Sequence, residues 1–196
     1  VLRGGIAAAL ASSWTTGLAQ DLQYKPAVPG RPVPPRSAFG KRSTAEEVTA
    51  GLDLSSGAHR WAPDGIRFDN LDGSKGYDPR EAYGVSKTAN GLFSRELARR
   101  LADTNATSNS LHPGVIPTNL ARHLPQRDYD MSNPMFKTIP EGTSTQCYVA
   151  THPELAGVTG YYFDDCNPAV PNDHMQDDEM AAKLWQVSEE LVADYL

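Results

Sequence analysis

The sequence predicts an α/β fold on a parallel sheet, because strand-like and helix-like segments alternate from about Leu52 to Leu196. Three observations carry this. A short β-rich run, Leu52-Asp53-Leu54, ends at Ser55-Ser56. A long helical period follows over roughly Ala82–Asp103, where Val85, Ala89, Leu92, Phe93 and Leu97 recur at three- and four-residue spacing. Two more extended runs, Thr107–Leu111 and Val158–Phe163, flank a helical segment over Gly142–Ala150, and Met180–Tyr195 reads as a closing amphipathic helix.

Between these elements the chain is punctuated as such a fold requires. A Gly-, Pro- and Asp-rich loop spans 57–79, and His112-Pro113-Gly114 stops the second extended run. Upstream the order fails. Residues 26–37 hold five prolines in twelve positions, and proline removes a backbone donor and fixes φ. Residues 25–51 are therefore expected to be irregular, separating a short segment 1–24 from the ordered body 52–196.

Composition narrows the function. With 196 residues the chain can bury one core. A net charge of −6 argues against an electrostatic nucleic-acid binder. No apolar run approaches the roughly 20 residues of a membrane span. Two cysteines, Cys147 and Cys166, are too few for a disulfide framework or a metal cage, so no metal is expected and a reduced, cytoplasmic setting is the default.

Chemistry concentrates at Tyr83 and Lys87. Their four-residue spacing stacks both side chains on one helical face. An ordinary tyrosine ionises near pH 10, too high for proton exchange at neutral pH, whereas an ammonium within about 4–6 Å favours a phenolate. A phenol so tuned exchanges a proton with an alcohol or carbonyl oxygen. Alone the pair is weak. Chance gives roughly one Tyr-to-Lys pair at this spacing in every four chains of this composition, and a solvated surface contact is its plainer reading. Context strengthens it. A hydroxyl of Ser55-Ser56 closes the upstream strand, and His112-Pro113-Gly114 with Thr118 follows the next one, where loops at the carboxyl ends of parallel strands bind cofactors. Each of these, alone, is also an ordinary turn or cap.

Taken together, these segments resemble the short-chain dehydrogenase/reductase superfamily, in the branch holding retinol dehydrogenases and the WW-domain-containing oxidoreductase. The carrying residues are Leu54-Ser55-Ser56-Gly57-Ala58-His59, Ala82-Tyr83-Gly84-Val85-Ser86-Lys87-Thr88-Ala89-Asn90, Ser110-Leu111-His112-Pro113-Gly114 with Thr118, Gly157-Val158-Thr159-Gly160-Tyr161-Tyr162-Phe163 and Ala182-Lys183-Leu184-Trp185-Gln186-Val187-Ser188-Glu189. The resemblance implies the C-terminal half of a Rossmann-type doubly wound parallel sheet. It implies Tyr83 as catalytic acid/base and a cofactor-binding residue, and Lys87 as its partner and a holder of the nicotinamide ribose. It implies Ser56 as the group orienting the substrate oxygen, with Pro113, Gly114 and Thr118 lining the nicotinamide and phosphate end. The loop from about Ala121 to Ile139 would cover substrate. The reaction implied is hydride transfer between NAD or NADP and a small-molecule alcohol or carbonyl, lipophilic in this branch.

Two features depart from the family. No Gly-x-x-x-Gly-x-Gly turn for the cofactor pyrophosphate occurs in the 196 residues; Val1-Leu2-Arg3-Gly4-Gly5-Ile6 instead resembles the family's mid-domain Asn-Ala-Gly segment, and Trp14–Tyr24 the helix after it. The likeness then breaks at Lys25 and resumes at Leu54, a pattern expected of a shifted reading frame or retained non-coding sequence. With the glycine-rich half absent, impaired activity, association of copies through an uncovered parallel edge, and a non-enzymatic remnant or partner-binding fragment are the competing expectations.

Overall fold

The computed structural model describes residues 50–121 and 131–195. The segment 1–24, most of 25–51 and the middle of the 121–139 loop lie outside the described residues, so the expectations placed on them do too.

Four strands form one sheet in the order β1-β2-β3-β4. They are β1 (Ala50–Leu54), β2 (Thr107–His112), β3 (Tyr162–Asp164) and β4 (Asn167–Ala169). β1 pairs parallel to β2, with Leu54 opposite Leu111, and β2 pairs parallel to β3, with Leu111 opposite Phe163. β4 returns antiparallel through a two-residue turn at Asp165 and Cys166, both in the left-handed region at φ 49° and 59°. Three α-helices complete the described residues: α1 (Pro79–Arg100), α2 (Ile139–Thr151) and α3 (Asp178–Val192).

Strand alternation sorts the helices onto two faces. On one face Leu111 and Phe163 are wholly buried and pack with Val149 of α2, Leu52 and Leu155. On the other, the Ser108 hydroxyl meets the Ser94 hydroxyl of α1 at 2.9 Å. α3 then lies on α1, where Leu92 packs against Ile66 and Ala181. Helices on both faces of a parallel sheet make the doubly wound arrangement expected, within the part of it described.

The long helix begins earlier than its apolar period suggests. Asp78 caps it by accepting the Glu81 amide at 2.7 Å, and Pro79 occupies the first turn, where its missing N–H costs nothing. α2 starts early for a similar reason: Thr138 and Glu141 form a reciprocal capping box. β1 also begins two residues before Leu52, which moves Ala50 and Gly51 out of the segment expected to be irregular. The run Val158–Phe163 keeps only its last two residues as strand. Gly160 takes φ 80°, and the Thr159 hydroxyl rather than a backbone carbonyl accepts the Ser108 amide at 3.0 Å.

The face under α1 is unusually polar, and one carboxylate there stands out. Asp53 is raised above its ordinary 3.8, chiefly by burial, although Ser94 and Ser108 hydroxyls offset part of this. A carboxyl with a raised folded pKa binds its proton more readily folded than unfolded, so stability falls as pH rises from 3.8 through the folded value. Asp53→Asn removes that penalty. The variant is expected to melt a few degrees higher than the parent at pH 7.5, with the gain shrinking as pH approaches 4; thermal unfolding at several pH values reads it out. An equal gain at every pH would show that the Asp53 charge is not its source.

Candidate active site

β1 delivers Ser55 and Ser56 at its carboxyl end, and the fold uses the two hydroxyls differently. Ser55 is buried, and its hydroxyl donates to the Lys87 carbonyl of α1 at 2.7 Å. Ser56 has extended backbone, φ −166° and ψ 155°, and caps the turn Gly57–Trp61. Its oxygen accepts the Ala58 amide at 3.2 Å, which leaves its own proton to donate to a ligand oxygen.

α1 brings Tyr83 and Lys87 to the same place. The Lys87 ammonium lies 5.5 Å from the centre of the Tyr83 ring and donates to the Leu54 carbonyl at 3.3 Å. Asn90, one turn on, donates to the same carbonyl at 2.7 Å. A lysine ammonium has three protons, and one is spent here. Tyr83 is 37% exposed, with the Trp61 ring of the serine turn 6.1 Å away. The turn and the helix touch through bare backbone. A Cβ on Gly84 would come within 2.8 Å of the Trp61 carbonyl carbon and 2.9 Å of the Ala58 oxygen and Ala62 nitrogen. Only glycine at 84 permits so close an approach, and it sets Tyr83 beside the turn that carries Ser56.

Pro113 and Gly114 follow β2, the neighbouring parallel strand. Gly114 takes φ 99°, and the Lys137 side chain lies across the place where a Cβ would project. Lys137 pairs with Asp165, also donates to the Pro113 carbonyl at 3.4 Å, and its amide donates to the Val115 carbonyl at 2.9 Å. The 131–138 segment is thereby bound to the 113–116 turn. Thr118 sits further out, exposed, its hydroxyl accepting the Leu120 amide at 3.3 Å. Ser56, Tyr83 and Lys87 thus gather at the end of β1. Pro113 and Gly114 stand at the end of the adjacent strand, and Thr118 has no described contact with any of them. Sequence reasoning passed over Lys137. Its only signal was its place inside the loop from about Ala121 to Ile139, which carries no period.

Beneath the turn, His59 and His112 are both held below the ordinary 6.5, first by burial. Tyr162 is pushed well above its usual value by the same cause. Among the described residues no cluster of three or more metal-ligating side chains occurs, and no helix is long and apolar enough to cross a membrane.

A parallel sheet wound on both sides, with a Tyr–Lys helix set over the end of its first described strand, defines a nucleotide-cofactor type of α/β fold. Comparisons with known proteins give the family. A family profile described as enoyl-(acyl carrier protein) reductase matches residues 66–152. The short-chain dehydrogenase TIC 32 B, chloroplastic, of Brassica napus is 46% identical over 160 residues, covering 78% of this chain and 50% of that protein. Human retinol dehydrogenase 14 is 44% identical over 133 residues, covering 65% and 40%. The WW domain-containing oxidoreductase of Pongo abelii is 35% identical over 152 residues, covering 73% and 37%. Among solved structures, an uncharacterised protein from Mycobacterium paratuberculosis superposes with TM-score 0.56 at 28% identity, over 74% of this chain and 50% of its own. The chain belongs to the short-chain dehydrogenase/reductase family, in the branch of the retinol dehydrogenases, and spans about half the length of the relatives it matches.

Proposed function

We propose that this chain carries the proton-transfer half of an oxidoreductase that moves hydride between NAD or NADP and an alcohol or carbonyl substrate. The observation that supports it most is the Lys87 ammonium, fixed by the Leu54 carbonyl beside the Tyr83 ring, with Ser56 two residues beyond that carbonyl. In this reading the Ser56 hydroxyl donates to the substrate oxygen and orients it. The Tyr83 phenol gives that oxygen a proton in reduction and takes one in oxidation, and the Lys87 charge stabilises the negative charge that develops on the phenol oxygen.

The residues present fit the nicotinamide end of the cofactor. The spare protons of Lys87 suit ribose hydroxyls, and the Gly114 turn, with the Lys137 side chain lying over it, stands at the end of the strand beside that of Ser56. The cofactor supplies the hydride. Apolar groups rim the same end of the sheet: Leu54, Trp61, Val115, Met135 and Ile139 are each more than 40% exposed. A lipophilic substrate of the retinol dehydrogenase kind suits such a rim. A second reading, a non-enzymatic binding fragment, draws on the lack of a glycine-rich turn in the 196 residues. Most cofactor binding energy comes from the pyrophosphate and adenosine contacts that such a turn makes, and without it the nicotinamide is not held at attack distance.

The test is a titration with NADH and NADPH, followed by fluorescence. The chain alone is expected to bind either weakly. The same chain joined to the glycine-rich segment of a relative is expected to bind one of them at least a hundredfold more tightly. Equal, weak binding by both proteins would remove the oxidoreductase reading and leave the binding fragment.

A further inference from the structure

His59 belongs to the Ser-Ser-Gly-Ala-His run, yet no step of the proposed reaction uses it. It is wholly buried. Its Nδ1 lies 2.6 Å from the Ser56 carbonyl oxygen. A carbonyl oxygen only accepts, so Nδ1 must carry the proton. The other ring nitrogen, Nε2, is buried with no hydrogen-bond partner among the described residues. A proton there would be an unsatisfied buried donor, whereas a bare Nε2 forgoes only an acceptor's bond. The ring is therefore neutral, with Nδ1–H as its tautomer. It stands edge-on to Tyr162, with centroids 5.2 Å apart and planes at 82°.

The backbone of His59 is tied as tightly as its ring. Its carbonyl accepts the Thr88 hydroxyl of α1 at 3.3 Å and the Asn172 amide at 2.9 Å. Asn172 in turn caps the turn before α3 by accepting the Met175 amide at 3.1 Å. One residue therefore joins the serine turn to the helix of Tyr83 and Lys87 and to the C-terminal segment. Its ring bond falls on the peptide unit that follows the Ser56 Cα, so it restrains the backbone from which the Ser56 hydroxyl projects.

We propose that His59 is the positioning residue of Ser56: its neutral ring, donating from Nδ1 to the Ser56 carbonyl, sets the direction of the Ser56 hydroxyl. The functional meaning of this rests on the oxidoreductase reading above, but its geometry does not. The Ser56 hydroxyl is reported by the Ala58 amide, which donates to it. Asparagine places a side-chain N–H the same number of bonds from Cβ as the histidine Nδ1, whereas glutamine mimics Nε2 and leucine mimics neither.

The experiment is nitrogen-15 NMR on the whole 196-residue chain, with no cofactor or turnover involved. In the parent, long-range proton–nitrogen correlations at pH 7 are expected to show His59 with Nδ1 protonated and Nε2 bare. A His59 protonated at Nε2, alone or together with Nδ1, would overturn the proposal, and this readout stands even if the variants do not fold. In the variants, His59→Leu and His59→Gln are expected to speed Ala58 amide exchange at least tenfold relative to neighbouring turn amides. His59→Asn is expected to restore it to within about threefold of the parent. Equal exchange in all three variants would assign His59 to packing alone and sink the positioning role. Failure of cofactor binding, by contrast, would strike the oxidoreductase reading and leave these spectra unchanged.

Discussion

Tyr83→Phe is expected to lower NAD(P)-linked turnover by about 10²–10⁴-fold in a protein that joins this chain to a glycine-rich dinucleotide-binding segment. The substitution removes one oxygen. The contacts described for Tyr83 are made by its ring, to Trp61 and to the Lys87 ammonium, and phenylalanine keeps them. A partly exposed position that loses only a hydroxyl changes stability by no more than about 0.5 kcal/mol. The variant is thus expected to melt with the parent, while kcat collapses. Steady-state rates beside a melting curve separate these outcomes. A Tyr83→Phe protein that kept more than a tenth of parental kcat would move the acid/base role to another group.

Gly84→Ala carries the largest expected effect on stability. In a helix interior, Gly→Ala ordinarily gains about 1 kcal/mol. At 84 the new methyl meets three backbone atoms of the serine turn at 2.8–2.9 Å, and backbone cannot swing aside. Overpacking of this kind costs about 1–3 kcal/mol or more, which outweighs the helical gain and pushes the Ser56 turn away from Tyr83. Gly91→Ala on the same helix is the control. Its nearest obstacle is the Met175 methyl, the far end of a flexible side chain that can turn away, so gain and loss nearly cancel. Chemical denaturation is expected to place the Gly84→Ala midpoint clearly below the parent and Gly91→Ala close to it. Matching losses at both positions would mean that the approach of turn to helix at Gly84 is looser than the structure has it.

The helices were legible in the sequence because each buries one face at a steady period; Val85, Ala89 and Leu92 of α1 pack on the Ile66 and Ala181 cluster, as their spacing requires. Their starts were misplaced because caps, not apolar residues, decide them: Asp78 and Thr138 are polar, and each sits three or more residues ahead of the first periodic position. β4 was missed altogether. Asn-Pro-Ala is three residues long and lacks a β-former, and a left-handed Asp165-Cys166 turn held from outside creates it. The tie from outside is the Lys137–Asp165 ion pair, a contact across 28 positions that no local pattern announces. The site divides in the same way. Tyr83 and Lys87 follow from one helix, so their spacing alone placed them together. The unequal duties of Ser55 and Ser56 could not be read from two identical letters. They depend on which hydroxyl reaches the Lys87 carbonyl. Thr118 was grouped with Pro113 and Gly114 by motif, and its described bond is only to Leu120 within its own turn.

The central claim, that the Ser56, Tyr83 and Lys87 constellation serves hydride transfer to a carbonyl carbon, is tested most directly by isotope transfer. The joined protein is supplied with NADPH or NADH deuterated at the transferable position of the nicotinamide, together with a panel of lipophilic aldehydes and ketones, and the alcohols are weighed by mass spectrometry. The account predicts an alcohol one mass unit heavier than that made with unlabelled cofactor, the deuterium on the former carbonyl carbon, and its loss in Tyr83→Phe. Cofactor bound tightly by the joined protein with no labelled alcohol from any carbonyl, or labelled alcohol formed equally well without the Tyr83 hydroxyl, would contradict it.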